Sequence, residues 1–293
     1  MKGVVYTSTG SNYLVKEVDS NVFWNCRLRG KLKIDKEIKS SNPIAVGDIV
    51  NYDIENEDTK EGIIHNIAPR NNYIVRVSPH NRHHKHIVAA NLDQTLLIAT
   101  VKDPTTSLGF IDRFLITAEM YHIPAILVFN KIDILDANDM LVLQHYQSIY
   151  EAIGYQVRTI AAIASNSPEL EDLKSILYDK TTLVSGHSGV GKSTLLNQLD
   201  TTFAAMHTLE NNARIIDTPG VKEFGLVAVT KAELAQYFPE MRKYMSGCKF
   251  NNCQHINEPQ CAVKNAIEAG EISIERYESY LSIYLTINDN TYS

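Results

Sequence analysis

The chain has 293 residues, 44% of them hydrophobic, enough for two or three globular domains. Its formal charge of −6 and pI near 5.9 argue against a protein that coats nucleic acid with a general positive charge, while leaving room for a local basic face. The amino terminus lacks the apolar core of a signal peptide and no apolar run reaches the ~18 residues a membrane span needs, so a cytoplasmic protein without a membrane anchor is expected.

Residues 1 to about 70 read as β. Short alternating runs at 3–6, 13–18, 22–28, 48–54 and 62–67 are separated by Gly, Asn, Ser and Pro. Five short strands in so little chain suit a small barrel of the OB type. If Gly30 does not interrupt the third strand, Arg27, Arg29, Lys31 and Lys33 share one face and Leu28, Leu32 and Ile34 the other. Four cations on a barrel wall could track a phosphate backbone; a solvated strand face is the plain alternative. Residues 71–90, with His80, Arg82, His83, His84, Lys85 and His86, read as a polar connector, a solvated linker rather than a metal site.

From residue 91 strands alternate with helices. Strands are expected at 94–101, 125–129, 156–160 and 181–184, and helices at 110–121, 140–153 and 170–177, the pattern of a parallel sheet covered by helices. The last 55 or so residues hold three of the four cysteines and a helical tail.

The strand at 181–184 runs into Gly186-His187-Ser188-Gly189-Val190-Gly191-Lys192-Ser193 and then Thr194-Leu195-Leu196-Asn197. This is a phosphate-binding loop between a strand and a helix. Its glycines let the backbone wrap phosphates, and its amides point at the anion. Lys192 would reach the β- and γ-phosphates, and the Ser193 hydroxyl would bind Mg²⁺. Asp217-Thr218-Pro219-Gly220 ends a second apolar strand 24 residues after Ser193, where the Asp217 carboxylate can hold Mg²⁺ through water and the Gly220 amide can sense the γ-phosphate. Asn130-Lys131-Ile132-Asp133 follows the strand at 125–129. One carboxylate at Asp133 can accept both N1–H and N2–H₂ of guanine, whereas adenine would face it with an acceptor. GTP is therefore expected over ATP.

The order of these motifs is unusual. The guanine motif stands about 55 residues before the phosphate loop, whereas in an ordinary G domain it follows. The same sheet can be built after circular permutation, because chain ends lie at the surface. The permutation puts Asp217 and its loop directly before the C-terminal region, so that movement of the γ-phosphate sensor could pass to it. That region carries Cys248-x₄-Cys253-x-His255-x₅-Cys261, three thiolates and an imidazole suited to tetrahedral Zn²⁺ with no ligand position left open, hence a structural site. Tyr277, Tyr280, Leu281 and Tyr284 fall on one helical face, and packing explains them better than base stacking.

Together these residues resemble the ribosome small-subunit-dependent GTPase A family (RsgA, also called YjeQ). The resemblance covers essentially the whole chain: Leu28-Arg29-Gly30-Lys31, Val46-Gly47-Asp48-Ile49-Val50, Pro69-Arg70-Asn71, the guanine motif, the phosphate loop, Asp217–Gly220 and the cysteine cluster. It implies an OB barrel over 1–70 that binds RNA, a circularly permuted α/β P-loop GTPase domain over 71–236, and a mainly α zinc domain with a helical tail over 237–293. It also implies GTP hydrolysis stimulated by the small ribosomal subunit late in that subunit's maturation, contact with its rRNA through the barrel and zinc domains, one structural Zn²⁺, Mg²⁺ with GTP, and a monomer in the cytoplasm.

Two features depart from an ordinary G domain. Val221 follows Gly220 where a small GTPase has a water-orienting Gln; the family shares this, so intrinsic turnover should be slow and a partner or another group must help. The switch I region is short: a strand expected at 203–209 follows the helix at 193–199 with almost no connection. Thr201-Thr202 look like the end of the family's His-Thr-Thr element without its His, so a segment between about Asp200 and Thr201 is expected to be missing and the catalytic residue is left unassigned. His207 is no substitute, since its strand position favours packing. A nucleotide-dependent scaffold with negligible turnover is the second reading, supported by Val221. A P-loop ATPase or kinase is the third, opposed by Asn130 and Asp133.

Overall fold

The computed structural model describes residues 1–30, 43–78, 81–164, 167–199, 205–209, 212–217 and 229–287, with 76–78 and 81–85 described by main chain alone. Five strands, β1 (Lys2–Thr9), β2 (Asn12–Glu17), β3 (Phe23–Leu28), β4 (Ile49–Asn56) and β5 (Glu61–Ile67), close a barrel in the order β1-β2-β3-β5-β4. The β3–β5 pairing is parallel and the others antiparallel. Alternation turns Val5, Tyr13, Val15, Trp24, Cys26, Val50, Tyr52 and Ile64 inward to fill it. Burial alone pushes the Cys26 thiol up to about 12, as for a packing residue.

The third strand is shorter than the basic run requires. β3 ends at Leu28, and Gly30 has φ +63°, a left-handed turn that ends the extended backbone. Among the described residues the strand therefore does not run on through Gly30; Arg27 is exposed and donates to Glu55 at 2.7 Å. Lys31 and Lys33 lie outside the described residues.

Residues 71–90 are not a plain connector. β6 (Tyr73–Ser78) and β7 (Asn81–Ala90) pair antiparallel as a ribbon, with register shifts that interrupt its alternation. Its end is bound to the barrel: Val46 bridges Ala89, and Gly47, at φ +88°, is so close to β7 that a Cβ would come within 2.1 Å of the Ala90 carbonyl. Next to Gly47, the fully buried Asp48 carboxylate accepts from Arg70 Nε and Nη2, both at 2.6 Å, and from the Ala45 amide at 2.8 Å.

The central sheet has the order β10-β9-β8-β11-β13-β12. β8 (Gln94–Ala99), β9 (Ala125–Asn130), β10 (Gln156–Ile160), β11 (Thr181–Gly186) and β13 (Arg214–Asp217) are parallel, and β12 (Met206–Thr208) is an antiparallel edge. Every side chain of β8 and β11 is buried, as expected for inner strands covered on both faces. Leu97, Leu127, Phe129 and Leu183 face α1 (Leu108–Met120) and α2 (Ala137–Ala152), while Leu96, Ile98, Val128 and Val184 face α3 (Pro168–Leu177) and α4 (Lys192–Gln198). Ser107 caps α1, Asp136 forms a capping box on α2, and Ser167 with Pro168 starts α3. The barrel covers the β12 edge, where Tyr6 and Thr208 share a 2.6 Å hydroxyl hydrogen bond.

The C-terminal module contains α5 (Pro239–Tyr244), α6 (Ala262–Glu268) and α7 (Ile274–Thr286). Phe238, Met241, Val263, Tyr280 and Ile283 form its core together with Ile116 of α1. No helix among the described residues is long and apolar enough to cross a membrane.

Candidate nucleotide site and metal centre

All the predicted nucleotide motifs within the described residues lie at the carboxyl ends of parallel strands, where an open α/β sheet forms its ligand crevice. β11 leads through the loop into α4. Gly189 and Gly191 have φ +86° and +87°, values that favour glycine and turn the loop back on itself. Val190 is buried under the loop, while Ser188, Ser193 and Thr194 are exposed at its mouth. Lys192 Nζ donates to Asp217 Oδ1 at 2.6 Å, so the phosphate-loop cation and the acid at the end of β13 face the same space. Gly220 and Val221 lie outside the described residues, as do Thr201 and Thr202.

The end of β9 meets the phosphate loop directly. Asn130 is buried; its Nδ2 donates to the Val190 carbonyl at 2.8 Å, and its Oδ1 accepts from the Ala162 amide at 2.9 Å. One carboxamide thus binds the loop after β9, the phosphate loop and the loop after β10. Lys131 is left-handed at φ +64°, its side chain runs beside Gly191, and its Nζ donates to the Asp103 carbonyl. Asp133 is exposed in the 3₁₀ turn Ile132–Ile134.

Two contributors escape a motif search. Ala162 takes part through its backbone amide, which no side-chain pattern encodes; only its place after a parallel strand could have pointed to it. The loop between β8 and α1 is the other. It is tied across its neck by Thr100 N to Thr106 Oγ1 at 3.0 Å and Thr106 N to Thr100 O at 2.8 Å, and it sets Pro104 against Gly189. Phe110 then packs against His187 with ring centroids 3.6 Å apart and planes tilted by 32°, and burial lowers the imidazole pKa. His207 is buried on β12, opposite Ile215, as its strand position suggests.

In the C-terminal module the ligand atoms of Cys248, Cys253, His255 and Cys261 all lie within 4.8 Å of one another. Nδ1 of His255 is 3.3 Å from Cys261 Sγ and 3.6 Å from Cys248 Sγ, and the two sulfurs are 3.9 Å apart. A tetrahedron with Zn–S of about 2.3 Å has edges of about 3.8 Å, so the donor set fits zinc in type and in spacing. Burial pushes the Cys253 thiol up to about 12, and burial lowers the His255 pKa. The ligand loop is held independently. Glu258 accepts from the amides of Gln254, Ile256 and Asn257, and Tyr277 and Tyr280 donate to the carbonyls of His255 and Gln254 at 2.7 and 2.6 Å. The tyrosine face of α7 is therefore a support for this loop.

The family model for the RsgA GTPase matches residues 67–205, and the model for the RsgA N-terminal domain matches 2–64. A protein of Flavobacterium psychrophilum named small ribosomal subunit biogenesis GTPase RsgA is 47% identical over 313 residues, covering all of this chain and 94% of the relative. One of Cytophaga hutchinsonii with the same name is 46% identical, covering 97% of each. Among solved structures, YjeQ from Thermotoga maritima superposes with a TM-score of 0.80 at 31% identity and 97% coverage of both chains. YloQ, described as a circularly permuted GTPase, gives 0.78 at 33% identity, covering 97% of this chain and 93% of the other. Two matched family models, relatives near half-identical along the full length and the permuted order of the site-bearing strands agree: the chain belongs to the RsgA GTPase family.

Proposed function

We propose that this chain binds GTP between the loops after β9, β10 and β11, hydrolyses it, and does so in the biogenesis of the small ribosomal subunit. The observation that carries the reading is Asn130, whose buried carboxamide ties the guanine motif to the phosphate loop in one rigid cleft. Gly186 to Thr194 wrap the phosphates with backbone amides, with Lys192 exchanging its Asp217 partner for phosphate oxygens. Asp133 reads the guanine edge, and Lys131 lines the base. Mg²⁺, when bound with GTP, neutralises charge on the phosphates, with Ser193 and Asp217 the residues that would hold it. Gly220 senses the γ-phosphate. Val221 cannot orient water, so the chain alone turns over slowly.

The barrel (1–70), the permuted GTPase domain (71–236) and the zinc domain (237–293) divide the work. The two flanking domains contact rRNA of the small subunit, and one zinc ion holds the last domain together. The protein acts as a cytoplasmic monomer. The test is nucleotide turnover, GTP against ATP, titrated with purified small ribosomal subunits. GTP-selective turnover that rises with subunit concentration is expected. Turnover of GTP unaffected by subunits would leave the nucleotide-dependent scaffold, and equal use of ATP would overturn the guanine assignment.

A further inference from the structure

Helix α1 is held on two sides by two different parts of the molecule. Phe110, in its first turn, packs its ring against that of His187 in the phosphate loop, the centroids 3.6 Å apart and the planes tilted by 32°. Asp112, two residues on, is fully buried and accepts from Arg276 Nη1 of α7. Two residues in a helix are about 200° apart around the axis, so these contacts leave opposite faces of one rigid rod. Arg276 is 1% exposed; it also donates from Nε to Glu240 of α5 at 2.7 Å, and its guanidinium lies over the ring of Phe238 at 4.8 Å. Tyr150 of α2 donates to the same Asp112 oxygen at 2.8 Å. A buried guanidinium with two carboxylates has one geometry that satisfies it, and small displacements are costly. Two exposed pairs, His145–Glu275 at 2.8 Å and Arg242–Glu119 at 3.2 Å, cross the same seam.

We propose that α1 clamps the phosphate loop to the C-terminal module, so that filling the nucleotide site stiffens α7 by a route separate from the chain connection through residues 218–228. The proposal rests on the nucleotide reading above. Phosphates fix the loop; the His187 ring then fixes Phe110; and α1, its preceding loop tied at Thr100 and Thr106, carries the constraint to Asp112 and Arg276. Phe110 and Arg276 are positioning residues, touching no nucleotide themselves. Linkage makes the effect mutual: what nucleotide does to the seam, the seam does to nucleotide affinity by the same factor.

The test is amide hydrogen exchange of the full chain, nucleotide-free and saturated with GDP. In the wild type GDP should slow exchange several-fold in Gly186–Ser193, in the first turns of α1 and in α7. Phe110→Ala should keep the slowing at the phosphate loop and lose it in α7, and Phe110→Tyr should restore it. Asp112→Asn, remote from the phosphates, should keep it in the loop and the first turn of α1 and lose it in α7. A merely structural role would raise α7 exchange equally with and without GDP and leave the difference intact, which overturns the proposal. So does a wild type whose phosphate loop is protected by GDP while α7 is not, or an α7 response that survives Asp112→Asn; if Phe110→Ala no longer binds GDP, Asp112→Asn decides alone. A wild-type phosphate loop that GDP does not protect at all would instead refute the nucleotide site.

Discussion

Gly191 and Asn130 leave no space between them: a Cβ built on Gly191 would come within 2.3 Å of Asn130 Nδ2. The position is also left-handed, at φ +87°. Gly191→Ala should therefore push Asn130 off the Val190 carbonyl, separating the base-reading loop from the phosphate cradle. A loss of GTP and GDP affinity of about tenfold or more is expected, equivalent to about 1.4 kcal/mol or more. Titration with a fluorescent guanine nucleotide measures it, and unchanged affinity would mean that the Asn130 bridge does not matter to binding.

Asp133→Asn should exchange preference from guanine toward xanthine nucleotide. The amide can donate to the extra xanthine oxygen but can no longer accept both guanine donors. Hydrogen bonds to a charged group contribute about 1.5–3 kcal/mol, so GTP should weaken by roughly 10- to 100-fold. Competition between GTP and XTP reads the exchange, and a variant that still prefers GTP would dismiss Asp133 as the base reader.

Lys192 rests on Asp217 at 2.6 Å, so removing it takes away a phosphate ligand and frees an acid within the cleft. Lys192→Ala should lower turnover at least about a hundredfold, the scale for losing one well-placed donor to a developing negative charge. Single-turnover hydrolysis in the presence of small subunits separates this from a binding defect. Near-normal chemistry in that assay would show that the loop has been misread.

The sequence made the chemistry legible where it is written in neighbouring residues. The phosphate loop, the guanine motif and the cysteine cluster could all be quoted residue by residue, and their permuted order implied the sheet. What depends on residues far apart in the chain was not legible. Arg276 meets Glu240 at a separation of 36 and Asp112 at 164, and no periodicity announces either. Ala162 acts through its amide. The ribbon β6–β7 was hidden because its register shifts break the alternation, and its small residues Ala89 and Ala90 are chosen for close approach to Val46 and Gly47 rather than for strand propensity. The row of cations from Arg27 depended on Gly30 continuing the strand, and Gly30 instead takes a left-handed turn, which a strand pattern does not reveal; Lys31 and Lys33 lie outside the described residues.

Asp48 and Arg70 join the barrel to the ribbon that follows. Asp48 is fully buried and Arg70 partly so; burial would lower the arginine pKa, but the carboxylate beside it raises it on balance. Asp48→Ala leaves a guanidinium in the seam without its partner, a defect that costs about 3–5 kcal/mol. A large fall in the denaturation midpoint is expected, with Asp48→Asn intermediate. A midpoint within the scatter of the wild type would show that water reaches Arg70 and replaces the pair.

The zinc site allows a prediction with an internal control. Among the four cysteines, Cys26 is packed alone in the barrel, so Cys26→Ala should leave one zinc per chain unchanged by elemental analysis. Cys253→Ser should lose it. Because the Tyr277 and Tyr280 hydroxyls hold the carbonyls of His255 and Gln254, releasing the ligand loop should also loosen α7. A chelator should therefore lower the melting temperature and speed proteolysis within 240–287 in the wild type and in Cys26→Ala, with no further effect on Cys253→Ser. If the chelator leaves the wild-type melt unchanged, the three sulfurs and the imidazole converge without metal, and hydrogen bonds from Glu258 and the two tyrosines must be enough to hold the loop.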